Sequence, residues 1–169
     1  GLGARMVWLP TISSQHHRRM ASTDERAAGV GGGTRAAAVP VVNELGKLAP
    51  ALYDVFDLVK QANAVLQTGH LSVPEIMQVA REARSRGVQK VMITHPESPL
   101  VSLPLDEQRE LARLGCYFER CYGTLTSHWN TTPATMAYNI RTVGVGSTVL
   151  ATDFGQERNP PPVEGMRAA

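Results

Sequence analysis

The chain has 169 residues, 43% of them hydrophobic and 19% charged, with a formal net charge of +2, a composition that supports one globular core and excludes a disordered chain. Its basic residues are scattered, which argues against a nucleic-acid partner. No apolar run approaches the roughly 20 residues of a membrane span and no secretory signal opens the chain, so no membrane partner and a cytoplasmic location are expected.

Gly3 to Pro10 reads as a strand, followed by a polar loop carrying Ser13, Ser14, His16 and His17. His17, just past the strand end, is a candidate substrate-binding residue, whereas His16 reads as surface. Residues 21–35 hold ASTDERAA and the run Gly29-Val30-Gly31-Gly32-Gly33 without apolar periodicity, the pattern of a flexible loop. No Lys-Ser/Thr follows those glycines and no helix opens there, so a phosphate cradle is the weaker reading.

Ala36 to Val42 reads as a second strand and Asn43-Glu44-Leu45-Gly46 as a turn. From Pro50, Leu52, Val55, Phe56 and Val59 recur at helical spacing, which predicts a helix to about Ala62 with proline in its first turn. Ala64 to Gln67 is a third strand, apolar without clean alternation as in a buried parallel sheet, and it ends at Thr68-Gly69-His70. Ser72 with Glu75 three residues on forms a capping box, and Val73, Ile76, Met77, Ala80 and Ala83 share one face of the helix it opens. Gly87 stops that helix, and Val88 to Thr94 is a strand running out at His95.

Beyond the loop Pro96 to Leu103, a helix through Glu107, Leu111 and Leu114 closes at Gly115, and Cys116 to Tyr122 is a strand containing Glu119. Cys116 and Cys121 fit neither a C-x-x-C motif nor a zinc knuckle and read as buried free thiols. Thr132-Pro133 opens a helix with Met136, Ile140 and Val143 buried, Gly144 ends it, and Ser147 to Thr152 is the last strand, ending at Asp153. Asp153-Phe154-Gly155 lacks the other kinase motifs, and Asn130-Thr131-Thr132 is a glycosylation acceptor by pattern only.

Six strands alternating with helices give the rhythm of a (β/α)8 barrel. Eight units need about 250 residues, so the expectation is an α/β single domain over residues 1–169, a partial TIM barrel supplying strands three to eight. Parallel α/β folds bind ligands at the carboxyl ends of their strands, where His70, His95, Glu119 and Asp153 fall. Imidazoles with carboxylates suit a divalent metal, zinc before manganese or iron, that activates water, with Asp153 accepting its proton.

The runs TGHLSVPEI, VMITHPE and VLATDFGQ with NPPPVEG resemble the amidohydrolase superfamily of metal-dependent hydrolases, closest to an uncharacterised amidohydrolase-like family. That resemblance implies a (β/α)8 barrel in which His70 and His95 bind metal and Asp153 binds metal and acts as base. The superfamily's His-x-His metal motif does not occur in this sequence, and Glu44 is a weak candidate for its bridging residue. The reading is therefore the C-terminal part of a hydrolase acting on a carbon–nitrogen or ester-type bond of a small-molecule substrate, with His95 and Asp153 catalytic and His17, His128 and Glu119 substrate-binding. Trp129 is a neighbour of that set. The alternatives are a metal-independent barrel lyase or aldolase, in which His95 and Glu119 move protons, and a non-catalytic barrel remnant. Open sheet edges would favour a homo-oligomer.

Overall fold

A computed structural model describes residues 3–23, 37–125, 131–157 and 159–169. The described elements are β1 (Met6–Trp8), α1 (Gln15–Ala21), α2 (Ala51–Gln61), β2 (Val65–Gln67), α3 (Val73–Ser85), β3 (Lys90–Thr94), α4 (Leu105–Arg113), β4 (Tyr117–Cys121), α5 (Pro133–Val143), β5 (Thr148–Ala151) and α6 (Pro162–Ala168). The architecture is α/β. Five strands form one parallel sheet in the order β1-β2-β3-β4-β5, flanked by helices. No helix among the described residues is long and apolar enough to cross a membrane.

The strand expected over Ala36 to Val42 does not join the sheet. Its described part makes only two isolated bridges, Ser14 with Val39 and Val42 with Leu48. Pro40 lacks the N–H that a ladder needs. The Asn43 side chain accepts from the Leu45 and Lys47 N–H groups, each at 3.0 Å, and Ala49 N–H donates to Val41 O at 2.8 Å. The segment thus folds back on itself, β1 pairs directly with β2, and the sheet has five strands rather than six. Most of the loop expected at residues 21–35 lies outside the described residues.

Alternation along the strands divides the sheet. Leu66, Val91, Ile93 and Phe118 turn to the core shared with Phe56, Val59, Ile76, Val79, Ala80 and Leu111 of α2, α3 and α4. Burying each larger apolar side chain contributes about 1.5–3 kcal/mol, and nine of these ten are fully covered, with Val59 nearly so. The expected caps form: Glu75 Oε2 accepts from the Ser72 N–H at 2.8 Å, and Thr132 Oγ1 accepts from the Thr135 N–H at 3.1 Å.

Arg120 also points to the helix side and is fully buried. Its guanidinium pairs with the Glu97 carboxylate and donates to Gln108 Oε1 at 3.0 Å, while Asn139 Nδ2 donates to Glu97 Oε1 at 3.2 Å. Burial pushes Arg120 down to about 10, which leaves it cationic at neutral pH. The network ties β4, α4 and α5 to the loop that follows β3.

At the carboxyl ends of β1 and β2 the two chains approach closely. Gly69 has φ +61, and a Cβ there would sit 2.4 Å from Leu9 O and 2.6 Å from Pro10 O. Gly46 also has a positive φ, +71, but open space around it. Gly69→Ala is therefore expected to cost more than the about 1–3 kcal/mol of left-handed strain, and Gly46→Ala no more than that strain. Urea unfolding midpoints of the two variants check this; equal losses would mean that the strand ends separate easily.

Candidate functional site

At the carboxyl ends of β2, β3, β4 and β5 the chain builds a cleft of about 280 Å³, lined among others by Trp8, His70, Thr94, His95, Glu119 and Asp153. The parallel register brings them together. Thr94 lies beside Glu119 across β3 and β4, and the strands holding His70, His95 and Asp153 end on the same side. Thr94 Oγ1 donates to Gln67 Oε1 at 3.0 Å and accepts from the Gly69 N–H at 3.1 Å, which locks the end of β2 to that of β3.

His95 and Asp153 stand on left-handed backbone, φ +46 and +55. Such conformations in residues other than glycine cost energy and persist only where the surroundings impose them. For His95 the loop does so: Ser98 N–H donates to His95 O and Leu103 N–H to Pro96 O, both at 2.9 Å, with Glu97 gripped by Arg120. For Asp153, Phe154 packs on either side of it, edge-on against Tyr122 with ring centroids 5.7 Å apart and against Gly165 of α6, where a Cβ would lie 2.7 Å from the ring. These residues bring His95 Nε2 to 3.7 Å from Asp153 Oδ2.

His70 is held from the opposite side. Ser14, the N-cap of α1, donates its hydroxyl to His70 O at 2.6 Å and accepts from the His17 N–H at 2.9 Å. The Nδ1 atoms of His17 and His70 are 2.8 Å apart and their rings nearly parallel, at 16°, so one imidazole donates to the other. His17 is 3% exposed, a buried partner of His70 rather than a loop residue. His16, read as surface, is half-buried with Nε2 2.8 Å from Leu100 O.

The His70 and His95 rings lie 5.7 Å apart between centroids. One further grouping was missed in the sequence: ligand atoms of His95, Glu119 and Cys121 all lie within 4.8 Å of one another. The i, i+2 spacing of Glu119 and Cys121, which puts both on one face of β4, was the available signal. Glu44 is exposed in the turn at 43–46, and His128 and Trp129 lie outside the described residues.

Burial and the adjacent imidazoles, His95 before His17 and His16, push His70 down to about 3. Burial raises the Glu119 carboxyl and Asp153 adds to the rise, while His95 and the Gln67 amide pull it back. Among the described residues the cleft lining includes carboxylates and imidazoles but neither lysine nor arginine. His95 Nδ1 is buried with no hydrogen-bond partner among the described residues. Donors 3.7 Å apart fit a shared zinc ion, whose bonds to nitrogen and oxygen are about 2.0–2.2 Å long. The donor set therefore fits a divalent cation.

His70 also makes stability depend on pH. Between about 3 and 6.5 the unfolded chain binds a proton there that the folded chain does not, so this contribution is complete above 6.5 and is lost as the pH falls towards 3. In chelator-treated protein, His70→Gln is expected to flatten the fall in urea midpoint between those values. An unchanged slope would show that His70 is protonated as readily in the folded chain.

Comparison with known proteins places no annotated activity on these residues. Neither the curated proteins nor the solved structures yielded a match. A family model does match, over residues 1–119, a span that includes His17, His70, His95 and Glu119 and stops before Cys121 and Asp153. Because that match extends over more than half of the chain, the protein belongs to the family described as a family of unknown function (DUF6282).

Proposed function

We propose that the chain carries the metal-binding half of an amidohydrolase-like, metal-dependent hydrolase that opens a carbon–nitrogen or ester-type bond of a small molecule. The observation that carries this reading is the approach of His95 Nε2 to Asp153 Oδ2, 3.7 Å, with both residues on left-handed backbone, over a cleft lined by no lysine or arginine among the described residues. The strand order supports a barrel. Five parallel strands follow one another in chain order, without the reversal that marks a doubly wound sheet. In a (β/α)8 barrel β1 to β5 would be the fourth to eighth strands, since β1 pairs directly with β2.

His70, His95 and Asp153 would hold the ion, zinc before manganese or iron. When bound, the ion supplies Lewis acidity and makes water a stronger acid. Asp153, with a side chain 47% exposed, is the open carboxylate of the cleft and takes the proton of the attacking water. As the carbon–nitrogen or carbon–oxygen bond breaks, Asp153 returns that proton to the leaving atom. His17 holds the His70 ring and Glu97 holds the His95 loop, so both imidazoles are oriented before substrate arrives.

Elemental analysis of the purified chain is expected to find about one divalent ion per chain, lost in His70→Ala. Asp153→Asn should slow hydrolysis by about 10²- to 10⁴-fold, the usual worth of a positioned acid–base group. Wild-type rates in Asp153→Asn would sink the mechanism. One observation favours a second reading: Glu119, raised by burial, is suited to hold a proton beside His95 and to exchange it without metal, as in a lyase. Activity that survives exhaustive chelation would select it.

A further inference from the structure

We infer that Cys121 and Glu119 are ligands of the cleft's cation, which then sits in a mixed nitrogen, oxygen and sulfur site with His95. The inference rests on the metal-dependent reading above and extends it to a residue that the sequence alone reads as a buried free thiol.

Cys121 is fully buried, and alternation along β4 sends its side chain to the face of Glu119, away from the helices that cover Phe118 and Arg120. Cys116, the other thiol, lies instead in the apolar core with Leu111 and Phe118. An inert core thiol would be surrounded as Cys116 is. Cys121 instead lies beside the Glu119 carboxylate and the His95 ring. Two acids and a thiol thus converge on His95. The donor atoms of His95, Glu119 and Cys121 are within 4.8 Å of one another, close enough for a modest contraction to bring them around one ion. A divalent cation neutralises that convergence. It also favours the thiolate over the thiol, and the thiol proton leaves to solvent as the sulfur–metal bond forms. Thiolate and imidazole together select zinc over magnesium or calcium.

The test is titration of the full, chelator-treated chain with Co²⁺, followed by absorption. The expected result is visible d–d bands together with an intense near-ultraviolet sulfur-to-cobalt charge-transfer band. Cys121→Ser should lose the charge-transfer band and bind Co²⁺ at least about tenfold more weakly, while Cys116→Ser keeps it. Because the wild-type spectrum alone reports sulfur ligation, the result stands even if Cys121→Ser misfolds. Visible bands without charge transfer would overturn the role of Cys121 and leave the metal-dependent reading intact. Charge transfer that persists in Cys121→Ser would overturn it as well. No cobalt bands at excess metal would overturn both.

Discussion

Between the ends of β1 and β2 there is room for backbone only, and the site depends on that closeness. Gly69 turns with φ +61 directly against the carbonyls of Leu9 and Pro10, so the chain leaving β2 runs beside the chain leaving β1. His70 N–H then donates to Pro10 O at 3.1 Å, Ser14 reaches the His70 carbonyl, and His17 meets the His70 ring. A side chain at position 69 would part these segments. The Thr-Gly-His run is thus a packing requirement as well as a chemical one: glycine for the approach, threonine for its hydroxyl bond to the Thr94 N–H at 3.1 Å, histidine for the cleft.

The sheet also separates its charges. On the helix side Glu97, Arg120, Gln108 and Asn139 form a buried network. Breaking such a pair by removing one partner is costly, because it strands a charge in a low-dielectric interior. On the other side Glu119, Asp153 and Cys121 gather around His95, with no lysine or arginine in the cleft lining among the described residues. The first arrangement is complete in its charges and holds position. The second has acid in excess, which supports the proposed cation; a buried polar atom without a partner among the described residues occurs in both, at His95 Nδ1 and at Glu97 Oε2 and Arg120 Nε. Glu97, two residues after His95, links the two by fixing the loop on which His95 stands.

Strand ends carry the strain as well. His95 and Asp153 end β3 and β5 in left-handed backbone, where neither side chain lowers its own energy. The surrounding contacts impose it: the Pro96–Leu103 hydrogen bond on one side, and Phe154 wedged against Tyr122 and Gly165 on the other. Strain held by packing rather than by the residue itself is what a preorganised site requires.

The sequence by itself determined the local elements and the end of the sheet that carries chemistry. Helical spacing of Leu52, Phe56 and Val59, the Ser72–Glu75 box and the apolar run through Ile93 depend on neighbours within a turn or two, so they are legible without a fold. The alternation of strands and helices then made a parallel sheet the expected outcome and aligned His70, His95, Glu119 and Asp153 at one end. Three things only the tertiary structure decided. Val39 to Val42 stays out of the sheet, because Pro40 withholds an N–H and β1 pairs directly with β2. His17 is a buried partner of His70 across 53 residues of chain, a contact created by helix α1 docking on the end of β2. Cys121 belongs with Glu119 and His95 because the pleat of β4 turns it away from the core that holds Cys116. These are long-range relations, and they depend on which face of which strand meets which neighbour.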